Sequence, residues 1–386
     1  MRESSSDAVL TDREYDLIRE LADGLVKEDE KIDYYGDDYY DTSGNASLIK
    51  SERIIYDTEA MQFIAVTDTS GNLPTVSAQS HDLKMIPFSY YIDGERFTCL
   101  DTASFDGDAF YAMLKNTEVK TSQINPAEYA DFFEPFLKEG KDVVYVAMSS
   151  GISGSCQSAA IGAEMLLERY PDRVIEIVDT RGASLGEGLV AVEAAKLRDE
   201  GLSAADAAKQ LRDLSERMFN VFTVNDLMFL RRGGRLSNLS AVVGTVLGIK
   251  PILKGGEDGR ISAFDTVRSR KRSIKALAAQ YDKYVVDAET QTIGIAHAAC
   301  RKDAEELIRL IREGEHPPKD ILLVDYEPVT GAHVGPGALA LFFESAEGVR
   351  AVKGLDVIPD RLKSLLSGAR STITKLKNSV TGGSKE

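Results

Sequence analysis

Cysteine is scarce in this chain. Of 386 residues only Cys99, Cys156 and Cys300 are cysteines, widely spaced and without a CxxC pair. Neither a disulfide framework nor a zinc site can be built from them, so free thiols and no bound metal are expected. Long apolar runs are missing too. None approaches the roughly 18 to 20 residues that span a bilayer, and the opening MRESSSDAVLTDREYDLIRE lacks the apolar stretch of a secretory leader. The expected address is the cytoplasm. Positive charge is in deficit, with a formal net charge of −16. A polyanion is repelled by phosphate backbones, which argues against nucleic acid as a partner of the whole molecule.

Several motifs of catalysis are absent as well. There is no GxxxxGK[ST], and Gly182, Gly186 and Gly188 do not fit GxGxxG, so the chain has no nucleotide signature and no cofactor is expected. The stretch Gly151-Ile152-Ser153-Gly154-Ser155 approaches the nucleophile elbow of serine hydrolases but carries Ser155 where the second glycine belongs. The four histidines, His81, His297, His316 and His333, show no triad spacing.

What is present is 43% apolar residues, enough for a sizeable core in one elaborate domain or two. Charge is distributed unevenly. Residues 1–60 hold seven basic against seventeen acidic side chains, ten of the sixteen net charges, and read as an acidic extension: a helical pattern over 12–26, then an acidic, tyrosine-containing linker. From residue 61 short apolar runs empty into polar turns: MQFIAVTDTSGNLP, then DVVYVAMSSGISGS (142–155) and RVIEIVDTRGASLGEG (173–188). Apolar runs alternating with helical patterns spell a parallel α/β sheet over 61–217, with one long helix expected near 188–217. Loops beyond the strand ends of such sheets hold ligands, which places Asp68, Ser153 and Asp179 near a common rim. A second α/β lobe is expected over 218–350, with strands at KPILK, RISAFDTV, QTIGIAHA and DILLVDY. Residues 351–386 read as a basic extension with an amphipathic helix at 361–377, whose contact with membranes would be transient at most.

A glycine-rich turn opening a helix presents free N–H groups at the positive end of the helix dipole, and hydroxyls add donors. The serine loop 148–159 therefore suits an anion such as a carboxylate, although Ser153 could equally cap its helix. A second hydroxyl-rich turn, VKTSQINP (119–126), supplies Thr121 and Ser122, which could also be caps. Two such turns at one sheet rim suggest convergence on one ligand.

Six stretches, TDTSGNLP, KTSQINPAEY, SSGISGSCQSA, VDTRGASLGEGL, NDLMFLRRGGRLSNLSAVVGTVLGIKPIL and GAHVGPGALALFF, occur in the order and spacing of the DegV family of bacterial fatty-acid-binding proteins, and the resemblance runs from about 61 to 345. It implies a two-lobed α/β fold that buries one long-chain fatty acid between a Rossmann-like parallel lobe and a second α/β lobe. It also implies a non-catalytic carrier that presents the carboxylate to a separate ATP-dependent fatty acid kinase for acyl-phosphate formation. On the family's motifs the carboxylate-binding positions fall on Thr121, Ser122, Ser153 and His333. Arg235, Arg268 and Arg270 resemble basic positions tied to phosphate handling or kinase docking. The tunnel walls would come from LSAVVGTVLGI (239–249) and ILLVDY (321–326). The chain departs from the family at Ile124, where a proline is usual after TSQ, and at Ser155-Cys156, where Thr-Tyr or Thr-Phe is usual; both bear on acyl-chain selection. Two rivals stand beside this reading: an enzyme acting on a small anion through Ser153 or His333, and a lipid buffer that meets no kinase.

Overall fold

A computed structural model describes residues 63–236 and 249–352. The acidic extension 1–60, nearly all of the proposed tunnel wall 239–249 and the basic helix 361–377 therefore lie outside the described residues.

The described residues open with β1 (Phe63–Asp68), α1 (Thr75–Ser80) and β2 (Lys84–Ile86). It then makes three short strands, β3 (Ser89–Ile92), β4 (Glu95–Thr98) and β5 (Val119–Ser122), with α2 (Gly107–Met113) before the last. α3 (Pro126–Lys138), β6 (Asp142–Ala147), α4 (Ser155–Leu167), β7 (Ile175–Asp179), α5 (Leu185–Asp199) and α6 (Ala204–Arg217) follow. β1, β2, β6 and β7 form an all-parallel sheet in the order β2-β1-β6-β7. Its central strands are apolar without alternation because helices cover both faces, and every residue of β1 is buried. The three short strands form a separate antiparallel sheet, β4-β3-β5.

The second lobe begins with β8 (Met218–Thr223) and α7 (Met228–Arg232), followed by the hairpin β9 (Ile249–Gly255) and β10 (Ile261–Arg268). α8 (Arg270–Tyr284), β11 (Thr292–His297), α9 (Arg301–Arg312), β12 (Asp320–Asp325), α10 (Pro328–Val334) and β13 (Leu339–Glu344) complete it. Its six strands run β10-β9-β8-β13-β11-β12, and only β11 and β12 pair in parallel.

α5 joins the lobes. It packs on β1 and β6 on one side and on β8, β11 and β13 on the other. A helix clasped between two sheets must be thin, and this one is lined with Gly186, Gly188, Ala191, Ala194 and Ala195, all buried. A methyl group at Gly186 would strike Asn220, and one at Gly188 would strike the backbone of Gly71. The single long helix expected over 188–217 is in fact α5 and α6. Gly201, in the left-handed region at φ +84°, ends the first, and Ser203 caps the second by accepting from the Asp206 N–H.

Candidate functional site

Thr121 and Ser122 are neither in a turn nor helix caps: they end β5, where Thr121 pairs with Tyr90 and Ser122 with Ser89. The cap of α3 is Asn125, whose side chain accepts from the Glu128 N–H while the Glu128 carboxylate accepts from the Asn125 N–H, with Pro126 opening the helix. Ser153 stands just before α4. Its Oγ accepts from the Ser155 N–H at 3.2 Å and donates to Ser155 Oγ at 3.1 Å. The loop is held from below by Ser149, whose Oγ donates to the Gly259 carbonyl at 2.7 Å, tying it to the turn of the β9–β10 hairpin. Asp179 holds it from the side, accepting from the Ser150 N–H at 3.1 Å and from Ser150 Oγ at 2.6 Å.

These elements enclose a pocket between the lobes with about 850 Å³ of free space, mouth included, a size usual for a small-molecule site. Thr121, Ser122, Ser153, His333 and Arg235 all line it. Its apolar wall comes from both lobes: Phe88, Met148 and Ile152 from the first, Phe222, Leu230, Val329 and Phe342 from the second. Arg268 and Arg270 do not line it. Arg268 is exposed at the end of β10, and Arg270 is turned toward α9, with Nε on Asp303 at 2.9 Å. Asp68, expected at the rim, is fully buried beneath the sheet end instead. Of ILLVDY only Tyr326 reaches the pocket, because the rest of that stretch is β12 at the sheet edge.

His333 sits in the last turn of α10, and its Nε2 lies 2.8 Å from Thr121 Oγ1, a hydrogen bond that links the small sheet to the second lobe. Burial and the nearby Arg235 charge push the imidazole down to about 4, so it is neutral at pH 7. Gly233, just after α7, makes this placement possible, since a methyl group there would collide with His333 Nδ1. Arg235 is fixed by two carbonyls: Nε donates to Ile152 at 3.0 Å and Nη1 to Gly233. The pocket thus offers hydroxyls, a neutral imidazole and a guanidinium at one end and hydrocarbon along its walls. Such an arrangement suits an amphiphile with an anionic or polar head.

Sequence reasoning missed Phe88 and Asn220, which no local motif marks, and passed over Arg181, although it lies inside VDTRGASLGEGL. Among the described residues no cluster of three or more His, Cys, Asp or Glu side chains could hold a metal, and no helix is long and apolar enough to cross a membrane.

Two α/β lobes clasping one helix, with a pocket where their loops meet, define the class of protein. The chain belongs to the DegV family: residues 63–346 match the family model whose description reads "Uncharacterised protein, DegV family". It is 37% identical over 283 residues to a DegV domain-containing protein of Clostridium perfringens, covering 73% of this chain and 97% of that one. A DegV domain-containing protein of Streptococcus pyogenes is 34% identical over 283 residues, covering 73% and 98%. The solved structure of a fatty acid binding DegV family protein from Streptococcus agalactiae matches with a TM-score of 0.65 at 30% identity, covering 74% of this chain and 100% of that one. That of DegV, a fatty acid binding protein from Bacillus subtilis, matches with a TM-score of 0.64 at 29% identity and the same coverage.

Proposed function

We propose that this chain binds one long-chain fatty acid in the pocket between its lobes, with the carboxylate held by Thr121, Ser122, Ser153 and His333. The observation that carries this reading is the pairing, in one pocket, of a long apolar wall with hydroxyl donors and a single neutral histidine at its polar end. Relatives described as fatty acid binding support it. Each methylene withdrawn from water contributes on the order of 0.8 kcal/mol, so a long chain is retained strongly once inside.

The carrier would present its carboxylate to an ATP-dependent fatty acid kinase, which supplies the nucleotide and forms the acyl-phosphate. Arg235, which lines the pocket, would offset charge developing on the transferred phosphoryl oxygens, and Arg268 and Arg270 would serve partner docking. An enzyme using Ser153 and His333 together draws no support from the geometry, since His333 is bonded to Thr121 and Ser153 to Ser155.

Native mass spectrometry of the purified protein, followed by extraction and identification of the released molecule, tests the reading. One fatty acid per chain is expected, with occupancy reduced in Thr121→Ala/Ser153→Ala. Unchanged occupancy in the double variant would refute the head-group assignment. With a kinase supplied, loss of acyl-phosphate formation in Arg235→Ala, with fatty acid still bound, is the expected sign of presentation; full activity would count against it.

A further inference from the structure

Beneath the pocket lies a group of buried polar side chains that the proposed function does not use. Asp68 at the end of β1 and Glu187 in α5 are both fully buried and hydrogen-bonded to each other. Between them stands Ser70, whose one hydroxyl proton faces Asp68 Oδ1 and, at 2.9 Å, Glu187 Oε2. Thr67 has one proton for the Val146 carbonyl and Glu187 Oε1, each at 3.1 Å. Two fully buried carboxyls joined through one hydroxyl cannot both be ionised, and Asp68 already accepts from the Ser70 N–H, the Ser70 hydroxyl and Tyr145, so it is the ionised member and the pair's proton sits on Glu187. Burial drives both carboxyls above the ordinary carboxylate range, in keeping with one shared proton.

From Asp68 a line of hydroxyls runs to the pocket. Tyr145 donates to Asp68 Oδ2 at 2.5 Å, so across the 2.8 Å contact it must accept from Tyr129. Tyr129, its proton spent, takes a hydrogen bond from Ser155, and Ser155 takes one from Ser153 at 3.1 Å. Every proton along Ser153, Ser155, Tyr129 and Tyr145 points away from the pocket. Ser153 therefore turns a lone pair to the ligand, which suits a head group with a proton to give and opposes a carboxylate.

We propose that Asp68, Glu187, Tyr145, Tyr129 and Ser155 form a positioning chain that decides whether Ser153 offers a proton or a lone pair to the head group, thereby setting the pocket's preference between ionised and neutral amphiphiles. The inference rests on the reading that the head group lies beside Ser153. For a carboxylate the chain reverses: the acid proton lies on Asp68 instead of Glu187, Asp68 donates to Tyr145, and each hydroxyl turns to its next neighbour until Ser153 donates into the pocket. Each hydroxyl keeps one proton, the pair keeps its single proton and single negative charge, and nothing is drawn from solvent. Reversal has a free-energy cost, because the proton leaves its preferred site, and this cost is charged only to acceptor-only head groups.

Cutting the chain removes that cost. Tyr129→Phe deletes one hydroxyl midway, and Ser155→Ala deletes the acceptor that captures the Ser153 proton. Binding of decanoate and of 1-decanol to the delipidated full-length protein, measured by calorimetry, reads the effect, since an alcohol can donate or accept and is indifferent to the chain's direction. The expected result is decanoate binding strengthened about fivefold in each variant, one net hydrogen bond's worth, with decanol changed less than about twofold. A purely structural role would weaken both ligands together, and that outcome, or an unchanged ratio between them, overturns the proposal. If wild type binds decanol and neither variant nor wild type binds decanoate, the carboxylate reading itself fails, and this inference with it.

Discussion

Two glycines three residues apart in the serine loop should respond differently to the same methyl group. A Cβ at Gly151 would lie 2.5 Å from the Asp258 carbonyl oxygen, 2.5 Å from Gly259 C and 2.7 Å from Arg260 N, all backbone atoms of the β9–β10 turn. A Cβ at Gly154 would meet Gln123, chiefly its Oε1, the far end of a flexible side chain. Neither glycine lies in the left-handed region, so the difference is one of contact rather than backbone strain. Gly154→Ala needs only a rotation of Gln123 and the loss of its 3.2 Å bond to Ser158, about 1 kcal/mol. Gly151→Ala must push a lobe-two hairpin off a lobe-one loop by nearly 1 Å, which costs about 1–3 kcal/mol as overpacking. It also stretches the 2.7 Å bond from Ser149 to Gly259, adding about 1 kcal/mol. Urea unfolding of both variants at one pH gives the comparison. Gly151→Ala should be the less stable by about 2 kcal/mol and should also bind fatty acid more weakly, because the displaced turn borders the pocket. Equal stabilities would refute the view that the two lobes are locked together at this loop.

Thr121→Val keeps the shape but strands His333 Nε2 in a buried site, so urea unfolding should show a loss of about 1–3 kcal/mol. Glu327 caps α10 while buried, and burial raises its carboxyl to about 7. A carboxyl raised on folding binds more protons in the folded chain, so its contribution falls as pH rises from about 4.5 to 7 and is flat beyond. Relative to Glu327→Gln, whose amide stays neutral, wild type should lose about 3 kcal/mol across that window, as read from urea midpoints at pH 5 and pH 8. On the proposed reading, shortening a saturated ligand by two methylenes should weaken binding about 15-fold in a competition assay.

The parallel sheet was legible because its strands are buried on both faces and read as unbroken apolar runs, as in FIAVTD and DVVYVA. Thr121 and Ser122 were read as a turn because β5 spans only Val119–Ser122 and its partner strand lies about thirty residues earlier. Nothing local announces a strand whose hydrogen bonds are made at that distance. The division of 188–217 turned on one left-handed glycine inside an otherwise continuous helical pattern. Asp68 was placed at the rim because it ends a strand, yet its carboxyl turns inward to Ser70, Tyr145 and Glu187, the last of these 119 positions away. Thr121, Ser122 and Ser153 were legible as hydroxyl-rich segments and His333 and Arg235 through motif resemblance alone, whereas Phe88 and Asn220 come from separate elements and carry no signal until the lobes are assembled.

The polar end of the pocket has a division of labour that its chemistry imposes. A buried carboxylate left without partners is costly, so the head group requires donors. Those present are mostly neutral: three hydroxyls and an imidazole that burial and Arg235 keep uncharged. Arg235 supplies charge, but two of its N–H groups are committed to the Ile152 and Gly233 carbonyls, which fixes it in place and limits how far it can follow a moving anion. Hydrogen bonds to a charged group contribute about 1.5–3 kcal/mol each in net terms, against about 0.8 kcal/mol for every buried methylene. A chain of sixteen carbons, about 13 kcal/mol, therefore equals or exceeds four such bonds. On the proposed reading the tail supplies at least half of the retention, and the head-group bonds supply the rest and the orientation. A reactive end held by weak, exchangeable bonds beside a fixed cation can be offered to a second protein without the ligand leaving the first.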